Sequence, residues 1–592
     1  MSATTASPQN TTNPKERIGL ALSGGGFRAS IFHLGVILRL EELGIMNRVS
    51  VISAVSGGSI VAAYYAYAME DQLRLLPPGD WYNPAARVEA YKKVAREFLR
   101  KVRLNMRSRA LVFSPRYHPW LLVKAVALRP FREHAFSILI QEEYDQHFYH
   151  DYSLDQLPAV PHGAARPTGG APVLTGPKLL LNTTSLMTGE RKAFSRDANT
   201  YLAQLKTSNK NVLKLSQVVG ASSGVPVIFP PTAICGELLV DGGVSDNQGV
   251  EGLLPLPERH PREEHCPPPP DHAPVDTLLI SDACGQLELK HTMSTGRLAV
   301  FSRVNDILMH QVRNKLLDLV ALAKNAHRIR FAFIHLLLNL KDDGSVAKRV
   351  SNEFIEPLAR IRTDLDQFSY IETEALMYHG YTLIDAMIRR WCREGLIPDK
   401  DEDIPPLKTP PLFLKKVHDN IDSTTAIRNE LVAGSEKVFL FRCWKKFGWV
   451  RTLPIYLIAF AVWLWIVGYL FADPHRFVDP VVSLWQGWLD KISLPSGAGA
   501  LIQRIKDALE TIVNGAAGLA GVLTVLLLPA YVVVYLLWEL MRVVALTIDR
   551  RLYSKLTKGA DPESKGADPE SLDWVIEPVD SVEPSPANAD RG

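Results

Sequence analysis

Apolar residues along this chain fall into two alternating patterns. Arg17-Ile18-Gly19-Leu20-Ala21-Leu22 is a short continuous apolar run, the mark of a buried strand, and Ile31 to Leu40 carries its apolar residues at helical spacing. The pair then repeats. Arg48-Val49-Ser50-Val51-Ile52-Ser53 is rich in β-branched residues, and Ile60 to Met69 reads as a helix. A short apolar strand ends at Asp241, and Thr277 to Asp282 is a further strand. Leu298–Ala326 and Tyr370–Cys392 read as helices, while Arg328–Leu338 fits a strand or a buried helix. Strand-helix alternation predicts an α/β domain.

The C-terminal third has a different pattern. Thr452 to Ala472 and Thr511 to Trp538 contain no charged residue, and a membrane span needs about 20 apolar residues. Spans at about 452–472 and 514–538 are therefore expected. Lys437, Arg442, Lys445, Lys446 and Arg451 precede the first, and Arg542, Arg550, Arg551, Lys555 and Lys558 follow the second. The bias of cations to the cytoplasmic side predicts a two-helix hairpin over 451–545 with both ends cytoplasmic. Residues 546–592 include a tandem repeat, Lys558–Ser564 and Lys565–Ser571, of a composition that cannot bury a core, and disorder is expected there. Residues 1–15 are polar and lack the apolar stretch of a signal peptide.

Composition refines this outline. With 592 residues and 47% hydrophobic content the chain can bury a sizeable core, and its net charge of +3 is nearly balanced. The local charge is more telling. Between Lys92 and Arg132 twelve Lys or Arg face a single acid, Glu97, with Phe98, Leu99, Leu104, Met106, Phe113 and Trp120 interleaved. Such a mixture suits anionic lipid headgroups, so a basic helical insertion over about 72–135 is expected to guide lipid, with no nucleic acid as partner. A proline-rich insertion is expected at about 253–275 and a linker with a basic juxtamembrane segment over 401–450. Cys235, Cys266, Cys284, Cys392 and Cys443 are scattered and odd in number, without metal-ligand spacing, which fits a reducing compartment. No pattern calls for a metal or a cofactor.

Three short segments carry the chemistry. Leu22-Ser23-Gly24-Gly25-Gly26-Phe27-Arg28-Ala29 lies between a strand and a helix, leaving N–H groups free at a helix N-terminus, where an anion is held well. That anion is either a phosphate or the oxyanion of a tetrahedral intermediate. Arg28 either adds a fixed positive charge or ties the loop down. A dinucleotide fingerprint needs Gly-x-Gly-x-x-Gly and an acid after the second strand, and neither is present. Ser56 falls at a strand-to-helix corner with Ala54 and Gly58 two residues away on either side, the small neighbours that a tight nucleophile turn demands. A serine in that place also serves as an ordinary helix cap. Ser53 and Ser59 are the fallback nucleophiles. Asp241-Gly242-Gly243 puts an acid at the end of a strand, a pattern that alone marks only a turn. His33, beyond the glycine loop, offers a conventional triad or is a packed core residue.

Together these segments resemble the patatin-like phospholipases, relatives of the cytosolic phospholipases. Leu180–Glu190, Ala221–Pro231, Asp246-Asn247, and Ile361–Phe368 with Gly380-Tyr381 add to the likeness, which spans roughly residues 15–395 and extends to bacterial members. The resemblance implies a three-layer α/β/α catalytic domain over 16–400 with a mostly parallel central sheet. It also implies Ser56 as nucleophile, Asp241 as general base without a histidine, and Gly24, Gly25 and Gly26 as the oxyanion hole. Arg28, Gly58, Gly242 and Gly243 support them. Ala29 and Ala54 replace glycines of the common patterns.

The expected activity is hydrolysis of phospholipid or lysophospholipid esters through an acyl-serine intermediate. The expected setting is an integral protein of a bacterial inner membrane with its catalytic domain facing the cytoplasm. A neutral-lipid lipase, an acyltransferase using the same acyl-enzyme, and a catalytically weak lipid-binding scaffold are the alternatives.

Overall fold

A computed structural model of the chain describes residues 16–106, 135–158, 174–196, 212–226, 229–234, 236–255, 273–285, 297–326, 328–339, 352–410 and 421–435, with Leu572 and Trp574. The chain divides into two compact units, residues 1–435 with 559–592 and residues 436–558, and every described residue belongs to the first. The expected spans at 452–472 and 514–538 lie outside the described residues. Among the described residues no helix is long and apolar enough to cross a membrane. Residues 1–15 and 107–134 are likewise outside them.

Eight strands form one sheet: β1 (Ile18–Leu22), β2 (Val49–Val55), β3 (Lys178–Ser185), β4 (Arg191–Phe194), β5 (Thr232–Ile234), β6 (Glu237–Asp241), β7 (Thr277–Asp282) and β8 (Arg330–His335). The order is β5-β6-β3-β2-β1-β7-β8, with β4 added to β3. β3, β2, β1, β7 and β8 run parallel, and β4, β5 and β6 make the antiparallel pairs. The helices are α1 (Gly26–Glu42), α2 (Gly57–Arg74), α3 (Pro84–Lys101), α4 (Ala135–Tyr144), α5 (Leu215–Ser222), α6 (Gly243–Asp246), α7 (Arg297–Asn325), α8 (Asn352–Arg360), α9 (Tyr370–Trp391) and α10 (Ile421–Ser435). Arg328–Leu338, which fitted strand or helix, contains strand β8.

Both faces of the sheet are covered, which is why its strands read as unbroken apolar runs. Ile18, Leu20, Leu22, Leu179, Leu181 and Leu279 point into a large core with α1, α2, α3 and α9. Their neighbours Ala21, Leu180, Leu278 and Ile280 face the other way, onto Leu316 and Val320 of α7 and onto Val250, Leu253 and Val275. The helices thus lie on both sides of a mostly parallel sheet.

Two expectations change, in the basic insertion and in the tail. In the basic insertion, α3 packs on α1 and α2, and Phe98, Leu99 and Met106 are buried in the core instead of facing lipid. Arg87 of α3 pairs with the buried Glu41 of α1 (2.9 Å). Lys93 and Arg100 lie on the exposed side of this amphipathic core helix, while Lys92, Arg96 and Lys101 are half-buried. The proline-rich insertion is tied at its base, where the N–H groups of Ala273 and Val275 donate to the carbonyls of Gly252 and Leu253 (2.9 and 3.1 Å); residues 256–272 are outside the described set. In the tail expected to be disordered, Leu572 and Trp574 are buried.

The contact between α1 and α9 depends on two glycines. A Cβ at Gly35 would overlap the carbonyl oxygen of Met377, and one at Gly380 would overlap that of Phe32. Backbone cannot yield as a flexible side chain does. Gly35→Ala and Gly380→Ala are each expected to cost about 1–3 kcal/mol or more. A thermal unfolding midpoint unchanged from wild type for either variant would contradict this packing.

Candidate active site

Strand β3 brings the serine corner and the acid together. Val55, the last residue of β2, pairs with Asn182, and Asp241, the last residue of β6, pairs with the next residue, Thr183. Leu181 is flanked by Ala54 of β2 and Phe194 of β4, and Thr183 by Asp241 of β6 and Lys192 of β4. A strand has only two edges, so β2 and β6 occupy the same edge of β3, end to end. Their carboxyl ends meet, and the residues that follow, Ser56 and Gly242, turn out of the sheet side by side. Gly242 has no room for a side chain, because a Cβ there would overlap the carbonyl of Asn182 and lie 3.1 Å from Val55 Cγ1.

Ser56 occupies a strained corner, with φ 51° and ψ −117°. A non-glycine residue at positive φ costs about 1–3 kcal/mol and persists only where its surroundings hold it. Here the Ser56 N–H donates to Ser222 Oγ (3.1 Å), which donates to the carbonyl of Asn182 (2.6 Å). The turn also presses α2 against the glycine loop: a Cβ at Gly57 would overlap the carbonyl of Gly26, and one at Gly58 that of Leu22. The fallback serines are buried and engaged elsewhere. Ser53 Oγ accepts from Asn182 Nδ2 (2.9 Å), and Ser59 Oγ is 2.8 Å from Ser222 Oγ.

The glycine loop reaches the same place. Gly24 abuts Ser56, a Cβ on Gly24 falling 3.2 Å from the Cβ of Ser56. Gly25 (φ 135°) and Gly26 (φ 58°) take backbone conformations that side chains disfavour. Of the three expected oxyanion donors, Gly24 is corrected: its N–H donates to the carbonyl of Asn247 (3.0 Å). The N–H groups of Gly25, Gly26 and Gly57 have no hydrogen-bond partner among the described residues. They stand at the adjoining N-termini of α1 and α2, where helix dipoles favour negative charge.

Arg28 is buried and ties the loop down. It donates to the carbonyls of Ile361 (2.6 Å), Ala283 (3.0 Å) and Ala359 (3.3 Å), and burial lowers its pKa to about 10. His33 is also a fastening. Nε2 donates to the carbonyl of Ser23 (3.0 Å), which also accepts from the N–H of Gly58 (3.1 Å). Because a carbonyl only accepts, Nδ1 carries no proton and accepts from Ser281 Oγ (2.8 Å). Burial lowers its pKa to about 4, so His33 stays neutral.

Asp241 is buried. Oδ1 accepts from the N–H of Gly243 (2.7 Å), and Oδ2 has no partner. Desolvation raises its pKa to about 6, although the nearby Ser56 side chain and the Gly243 N–H pull it down. The Ser56 hydroxyl lies close enough to Asp241 to favour its ionised form, although it falls outside ordinary hydrogen-bond geometry to Oδ2. A buried, unpartnered carboxylate oxygen near a strained serine is chemically able to accept a proton. Among the described residues no group of three or more His, Cys, Asp or Glu is arranged to hold a metal ion.

Four participants escaped the sequence reading. Gly57 lies in plain view within Ser56-Gly57-Gly58, and its place directly after a corner serine is the signal that could have identified it as a donor. Ser222, Asn182 and Asn247 lie in stretches that add to the family likeness, but their contacts join distant parts of the chain and no local pattern assigns them a role.

The sequence matches the family model Patatin, described as patatin-like phospholipase, over residues 20–254. A search of curated proteins returned no match. Solved structures similar to the chain include VipD from Legionella pneumophila, at 14% identity over 64% of this chain and 67% of that one, with a TM-score of 0.23. Human GIVD cytosolic phospholipase A2 is 13% identical over 65% of this chain, with a TM-score of 0.34. The same enzyme bound to methyl gamma-linolenyl fluorophosphonate is 14% identical, with the same coverage of this chain and the same score. The chain spans 63% and 59% of the length of these two human structures. The matched region begins within β1 and runs through the glycine loop, the Ser56 corner and the Asp241 turn, and residues 20–254 thus carry a patatin-like phospholipase domain.

Proposed function

We propose that this protein is a lipid acyl hydrolase of the phospholipase or lysophospholipase type, working through Ser56 and Asp241. The observation that carries the proposal is the buried, unpartnered Oδ2 of Asp241 beside Ser56 at its strained corner. In this reading ionised Asp241 takes the Ser56 hydroxyl proton as Oγ attacks the ester carbonyl. The N–H groups of Gly25, Gly26 and Gly57 receive the developing oxyanion. Asp241 then returns the proton to the leaving alcohol, and Ser56 holds the acyl group as an ester. Water, deprotonated by Asp241, attacks that ester, and the fatty acid leaves as Ser56 regains its proton.

The chemistry sets its own pH range. Asp241 accepts a proton only when ionised, so kcat/KM on a lysophospholipid is expected to fall below about pH 6. An acid limb near pH 4, the range of an ordinary carboxyl, would show that another group is the base. Fluorophosphonate is expected to label Ser56, and Asp241→Asn to slow labelling about 10²–10⁴-fold. Label on another serine, or none on folded protein, would defeat the assignment.

The site also lowers stability, and its removal is expected to raise it. Asp241 binds its proton more tightly folded than unfolded, so stability falls as pH rises from about 4 to about 6 and the loss is complete above that range. The full cost is about 3 kcal/mol. Asp241→Asn is therefore expected to unfold at higher temperature than wild type at pH 8. Ser56→Gly removes the positive-φ strain and is expected to gain about 1 kcal/mol. Lower midpoints for both variants would contradict a strained, desolvated dyad.

A further inference from the structure

The tail returns to the catalytic unit. Leu572 and Trp574 follow a repeat of Lys, Gly, Ala, Asp, Pro, Glu and Ser, yet are only 6% and 8% exposed. Trp574 meets Tyr378 and Tyr381 of α9 edge-on, at 5.8 Å and 90° and at 5.0 Å and 85°. Such geometry is favourable for aromatic rings beyond the area it buries. The receiving site is fixed by its own contacts. Tyr381 donates its hydroxyl to Glu42 (2.6 Å) and accepts from the N–H of Lys408 (3.2 Å), and the guanidinium of Arg39 lies 5.4 Å from its ring centre.

The chain is fastened to the same helix before it enters residues 436–558. α10, which ends at Ser435, packs on α8 and α9 and buries Ile427 and Leu431. The carbonyl of Gly434 accepts from Arg362 Nη1 (3.3 Å), and that guanidinium pairs with Glu372 in the first turn of α9 (2.5 Å).

We propose that Leu572 and Trp574 form an intramolecular anchor, with Trp574 seated on Tyr378 and Tyr381, so that α9 holds the chain both before residue 436 and after residue 558.

Hydrogen exchange on the full-length protein in detergent tests the anchor without reference to turnover. In wild type the amides around Leu572–Trp574 are expected to exchange at least about tenfold more slowly than those of the preceding repeat. Trp574→Ala is expected to remove that difference while fluorophosphonate labelling stays within about twofold of wild type. Exchange as fast as in the repeat, or protection that survives Trp574→Ala, overturns the anchor. The wild-type exchange measurement decides the matter even if the variant does not fold. Loss of esterase activity in an anchored protein would count against the hydrolase reading alone.

Discussion

Ser56 and Asp241 meet because β3 carries β2 and β6 in line along one edge. Adjacent residues of β3, Asn182 and Thr183, receive the last residues of the two strands. That register fixes where both chains leave the sheet, and the glycine loop then closes the third side. It also accounts for the antiparallel strands in a sheet otherwise built of parallel ones. A parallel β6 would approach this junction from the same end as β2 and could not meet it carboxyl end to carboxyl end. The reversal of β6 is thus a condition of the site.

Around that junction the backbone is packed at distances that exclude side chains. Gly26 lies against Asp364, Gly57 against Gly26, Gly58 against Leu22 and Gly242 against Asn182. What remains is a surface of N–H groups, two of them aimed by positive φ at Gly25 and Gly26. Buried polar residues fasten it: Arg28 binds three carbonyls, and His33 and the Gly58 N–H share the carbonyl of Ser23. The terminal nitrogens of Arg28 and both ring nitrogens of His33 are taken up by protein partners. Both residues hold the loop on which the free N–H groups stand.

Strands β1, β2 and β7 were legible because each is buried on two faces and so reads as an apolar run, whereas β4 and β5 are short and partly exposed and gave no such run. The Ser56 corner was legible because its small neighbours are local. Long-range contacts were not. Gly24 reads in sequence like Gly25 and Gly26, and only the approach of Asn247 from more than two hundred residues away consumes its N–H. The cations of 92–103 suggested a lipid-facing surface, since composition does not reveal that Phe98 and Leu99 lie on the opposite, buried side of α3. Trp574 was hidden for the converse reason: one aromatic residue in a polar tail carries no periodicity, and its meaning lies in the receiving pair on α9.

α1 links these observations, because its two ends do different work. Its first residue belongs to the glycine loop, while Arg39 and Glu42 near its last turn join Asp385 and Tyr381 of α9. The first and last of its 17 residues are separated by about 24 Å at a rise of about 1.5 Å per step. Gly35 and Gly380 set the close approach of α1 and α9 between them. A change at Trp574 therefore acts on the far end of a helix already locked at its middle by backbone contact. To reach the donors at Gly25 and Gly26 it would have to move α1 as a rigid rod past Met377, where no space is left.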